Sequence, residues 1–82
     1  MSFAIAVWHN PRATHDWYLM RDSDDQIVHV YGRRERADKT VASLLKANPH
    51  MRIEVTSQIH PTALSRARAK RERQEAARRA VT

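Results

Sequence analysis

Past Leu64 the chain reads "SRARAKRERQEAARRAVT", in which Val81 is the one sizeable apolar side chain. Any hydrophobic core must therefore come from the residues before it. That is a tight constraint for 82 residues, because the smallest domains bury only about 60% of the surface their unfolded chains expose. Cysteine is absent, so neither a disulfide framework nor a thiolate metal site can reinforce the fold. Stability has to come from side-chain burial or from a partner.

The pattern before Leu64 supplies the elements. "FAIAVW" alternates Phe3, Ile5 and Val7 with Ala4, Ala6 and Trp8, and apolar groups on both faces point to a covered strand. Asn10-Pro11 opens a loop. Trp17 to Arg21 and Gln26 to Tyr31 are rich in aromatic and β-branched residues around the turn-forming "DSDD", which predicts a hairpin. After Gly32 the period lengthens: Ala37, Val41, Leu44, Leu45 and Asn48 make the stripe of an amphipathic helix, stopped at Asn48-Pro49. "MRIEVTSQI" then returns to strict alternation, with Met51, Ile53 and Val55 opposite Arg52, Glu54 and Thr56. His60-Pro61 ends it, and Thr62 or Ser65 is placed to cap the last helix.

The sequence thus predicts an α+β fold in the order β-β-β-α-β-α. Its mainly antiparallel four-stranded sheet carries one amphipathic helix, with a basic C-terminal helix after it. Residues 1–60 form the compact domain and 61–82 an Arg-rich helix or arm. The arm's Ala, Arg, Lys, Gln and Glu favour a helix, but without an apolar seam it is expected to fray beyond roughly its first two or three turns.

Charge is unevenly spread. Residues 1–60 hold eight Lys or Arg against seven Asp or Glu, whereas residues 61–82 hold seven against two. Nearly all of the excess of +6 lies in the tail. At 100° per residue, Arg66, Lys70 and Arg73 share one arc and form a ridge able to follow a phosphate backbone. Arg68, Arg71, Arg78 and Arg79 project elsewhere around the helix. A second cluster, Arg33, Arg34 and Arg36, opens the first helix, where positive charge opposes the helix dipole and where an anion would be welcome. Arg outnumbers Lys six to one in the tail, which favours forked contacts to phosphate. Solvation of a charged face and docking on an acidic protein are the competing explanations.

Motifs for chemistry are missing. With Gly32 the single glycine, there is neither GxGxxG nor GKS/T, so no nucleotide cofactor is expected. His9, His15 and Asp16 share a loop, but their spacing matches no metal signature. His29 lies in a predicted strand near Arg residues, an arrangement that small basic ribonuclease toxins use; their glycine-led histidine motif and helix-first order are not present. No catalytic residue is assigned. Three strands followed by a helix over residues 3–47 resemble, in topology alone, small DNA-binding domains that lay a three-stranded sheet in the major groove. The acidic "DSDD" turn opposes that mode and leaves the helices as the anionic-ligand surface.

"MSFAIAVWHNPR" has no basic segment ahead of its short apolar run, and no apolar span of membrane length occurs, so a cytoplasmic protein is expected. The function expected is a small non-enzymatic module that binds DNA or RNA. The alternative is an inhibitor or adaptor of the phage or mobile-element kind that binds a host protein. A homodimer, through a sheet edge or through the helices, is open.

Overall fold

The computed structural model describes residues 1–8, 10–12 and 16–80, together with the backbone of Val81. Among the described residues, three strands and two helices run in the order β1 (Ala4–Trp8), β2 (Trp17–Leu19), α1 (Arg34–Ala47), β3 (Arg52–Thr56) and α2 (Pro61–Val81). The sheet is antiparallel throughout, in the order β2-β1-β3.

Both faces of β1 are apolar because it is the central strand. Val7 pairs with Ile53, and Ile5 with Val55. These side chains face α1, and Ile5, Val7 and Ile53 form the core with Val41, Leu44 and Leu45 packed against it. On the opposite face Trp8 lies between Trp17 and Arg52 in register. The two indoles stand 5.9 Å apart between ring centres, and the Arg52 guanidinium sits 4.1 Å above the Trp8 ring. A cation over an indole face is attracted by the ring quadrupole, which fixes Arg52 without removing it from water. Ala4 and Ala6 are buried on this face, small enough to disappear beneath larger neighbours.

The four-stranded expectation is wrong, and the acidic turn explains why. Asp24 Oδ1 accepts from Asp25 N–H and Asp25 Oδ1 accepts from Ile27 N–H, each at 3.0 Å. Gln26 adopts a left-handed φ of 60° and gives its N–H to Asp22 C=O at 2.9 Å. The turn thus consumes the donors that a strand beginning at Gln26 would need. Beyond the turn, the return segment divides its pairing between two partners: His29 N–H bonds Met20 C=O, whereas Tyr31 exchanges both backbone bonds with Phe3. Only isolated bridges result, Arg21 with Val28 and Phe3 with Tyr31. The return segment fills the place beside the start of β1 that β2 vacates after Met20 donates its N–H to Ile5 C=O at 2.8 Å.

Other boundaries shift for local reasons. α1 stops where Asn48 predicts, with both the backbone N–H and the side-chain amide of Asn48 donating to Leu44 C=O. β3 is five residues, not nine, because Thr56 Oγ1 accepts from Gln58 N–H and turns the chain. Neither Thr62 nor Ser65 caps α2. Pro61 opens that helix and His60 Nδ1 accepts from Thr62 N–H at 3.2 Å, so the capping acceptor is an imidazole. α2 also continues to Val81 where fraying was expected. High propensity throughout and the i,i+4 pair of Arg71 with Glu75 support its later turns.

Ile5 has no exposed surface and contacts α1 through the core just described. Ile5→Ala is expected to lower the unfolding free energy by about 2–5 kcal/mol, read from urea denaturation. A loss below about 1 kcal/mol would show that the central strand does not anchor the core.

Candidate nucleic-acid interface

α2 is 21 residues long, about 31 Å at 1.5 Å per residue, in a molecule whose extents are 47 × 26 × 24 Å. Among the described residues no strand, nor α1, comes within backbone packing distance of it. Instead the helix lies along the irregular segment after β2. Leu64 and Ala67 line the same groove as Val28, Val30 and Tyr31, and Arg71 Nη1 reaches to within 3.9 Å of where a Cβ on Gly32 would stand. From Arg71 to Ala80 every residue is exposed.

What fixes α2 at its middle is a charge. The Lys70 ammonium donates to Asp22 Oδ2 at 2.5 Å and to Asp25 Oδ2 at 2.8 Å, with Asp24 Oδ1 at 3.8 Å. The side chain is only 16% exposed. The three carboxylates converge closely enough to hold a cation, and the cation they hold is this ammonium. Its hydrogen bond is the main reason the Asp22 and Asp25 carboxyls lie below the usual carboxylate range; in return they push the Lys70 ammonium well above its ordinary value. Ionised Asp22 can only accept, so its 2.9 Å contact with His29 Nδ1 is an imidazole N–H donating to Oδ1. His29 also packs on Tyr31, 4.6 Å between ring centres.

The structure therefore separates the six basic residues singled out from sequence. Lys70 is turned into the acidic turn. Arg66 and Arg73 lie exposed on the outer side of α2, about 130° around the helix from the stripe of Leu64, Ala67, Arg71 and Gln74. Arg33 occupies the N-cap position of α1 in an extended conformation with no side-chain cap, and Arg34 lies 4.0 Å from Asp38. Arg36 faces α2. It lines a groove of about 530 Å³ with Arg68 and Arg71, two residues that the helical projection set aside. Asp22 and Glu75 border the same groove. Its positive character comes from two elements far apart in sequence, α1 and α2. His9 and His15 of the loop considered for a metal lie outside the described residues, and Asp16 is exposed there with a left-handed φ of 67°.

Comparison with protein-family models, curated proteins and solved structures found no match. No helix among the described residues is long and apolar enough to cross a membrane.

Because the Asp22 and Asp25 carboxyls are depressed in the folded state, their contribution is complete above the unfolded value of 3.8 and is lost as pH falls through the lowered folded values. Attachment of α2 should be flat through neutral pH and fail only in acid. Protection of the α2 amides, taken relative to their intrinsic exchange rate at each pH, is expected to fall there. Lys70→Met should show fast exchange already at neutral pH and no acid transition; an acid transition that persists in Lys70→Met would assign it to other groups.

Proposed function

We propose that this protein is a small non-enzymatic nucleic-acid-binding module, working in the cytoplasm, that grips the phosphate backbone between α1 and α2. The observation that carries the reading is the meeting of Arg36 with Arg68 and Arg71 across one groove. Guanidinium groups from two rigid helices can fork onto neighbouring phosphate oxygens without first being gathered from solution. Electrostatics support the same surface: α2 carries seven basic and two acidic side chains, and of the basic ones Lys70 is consumed internally. From Arg71 onward the helix is exposed, with Arg71 and Arg78 lining the groove and Arg73 and Arg79 on the same turns, so a long polyanion can lie along it. Arg66 and Arg73, on the outer side, would add long-range attraction more than close contact.

The acidic turn gives this surface a direction. Asp22, Asp24 and Asp25 outnumber the one ammonium that neutralises them, so a phosphate chain is repelled from that end of the groove and drawn toward Arg36 and the distal half of α2.

An electrophoretic shift with duplex DNA and duplex RNA over a salt series tests this. Affinity should fall steeply with salt, and changing Arg36, Arg68 and Arg71 together to Ala should flatten the log–log slope by about one unit per lost phosphate contact. Arg66→Ala with Arg73→Ala should have a smaller effect. Absence of any low-salt shift with either nucleic acid would overturn the proposal, and equal effects of the two variants would move the contact away from the groove.

A further inference from the structure

We propose that two copies of this chain join through β3, edge to edge and antiparallel, to form one continuous sheet. β3 is an outer strand of the sheet, and its five residues pair with β1 without interruption. Its other side carries the outward backbone N–H and C=O groups of Ile53 and Val55, with no neighbouring strand among the described residues; the Met51 N–H just before them donates to Asn48 C=O at 3.1 Å. Proline and lysine, which commonly blunt such an edge, are missing from "RIEVT", and its two charged residues, Arg52 and Glu54, are of opposite sign and already pair with each other. The opposite side of the sheet is different. There β2 is three residues long, the return segment crosses its end, and α2 lies beyond. The return segment and α2 thus lie on the β2 side, while α1 packs across one face of β3 and β1, and the outer edge of β3 has no paired strand among the described residues.

The side chains of β3 identify the occupant as a second copy. Antiparallel pairing of β3 with itself requires a two-fold axis perpendicular to the sheet, so residues opposite each other must lie on the same face. With Ile53 on that axis, Arg52 stands opposite Glu54 of the second copy and Glu54 opposite its Arg52. Moving the axis to Arg52 or to Glu54 sets like charges against each other, and moving it to Val55 leaves both charges facing uncharged partners. One register is therefore selected by charge complementarity. Within a single chain Arg52 and Glu54 already lie 3.2 Å apart and are partly exposed, and the indole of Trp8 holds the guanidinium in place. The same axis sets Met51 opposite Val55 on the face that carries α1. Met51 is 39% exposed in the lone chain, a large apolar side chain at the margin of the core that this pairing would cover. Both α1 helices then lie on one face of the joined sheet.

This inference does not rest on nucleic-acid binding, and its test uses the protein alone. Sedimentation equilibrium of the full chain should give twice the chain mass of 9.5 kDa. Glu54→Arg and Arg52→Glu, each alone, should sediment as monomers because every cross-strand charge pair becomes repulsive. An equimolar mixture of the two should recover the dimer mass as a heterodimer. A wild-type chain that remains at the monomer mass into the millimolar range would overturn the proposal, as would dimers of Glu54→Arg alone. Amide exchange of the wild type gives a readout free of any effect of mutation on folding. Protection of the outward Ile53 and Val55 amides should rise with protein concentration, and concentration-independent exchange there would also overturn it.

Discussion

The placement of α2 depends on one ammonium group. A helix with little more than Leu64 and Ala67 to bury has no apolar reason to lie in one orientation, and a turn bearing Asp22, Asp24 and Asp25 repels itself. Lys70 answers both problems at once. It enters the turn as its counter-ion, brings the helix with it, and leaves six arginines of α2 outside. Asp22 also accepts from His29, so the same carboxylate ties α2 to the segment that pairs with Met20. Helix, turn and return segment are joined through a few oxygen atoms.

The legible parts of the fold were those set by short-range periodicity. β1 declared its central position by being apolar on both faces, and α1 by the stripe from Ala37 to Leu45 and the stop at Asn48. The fourth strand misled because Gln26 to Tyr31 has strand-like composition while the N–H groups of Gln26 and Ile27 are held inside the turn, by the Asp22 carbonyl and the Asp25 carboxylate. Propensity describes what side chains prefer, and here hydrogen-bond competition in the turn decided the outcome. The six-residue segment spends itself on two isolated bridges to two different strands.

The site was less legible than the fold. Projection onto a helix wheel treats all cations alike, so Lys70 looked like the middle of a phosphate-binding ridge. Its real partner is 48 residues earlier, and no local pattern announces a contact over that separation. One signal was available: Lys70 is the single lysine in a tail otherwise charged by arginine, and a compact ammonium suits a pocket of three carboxylates better than a planar fork does. Likewise Arg33, Arg34 and Arg36 are indistinguishable in sequence, whereas helical phase alone turns Arg36 toward α2.

The interrupted hairpin also governs how far this sheet can grow. The β2 side is a stepped margin: β2 offers three residues, Trp17–Leu19, and the return segment then leaves Met20 for Phe3. A sheet with full-length strands at both margins can propagate into a filament, whereas a short, stepped margin offers a further strand little to pair with. The irregularity that removed a predicted strand thereby shortens the margin along which this sheet could be extended on that side.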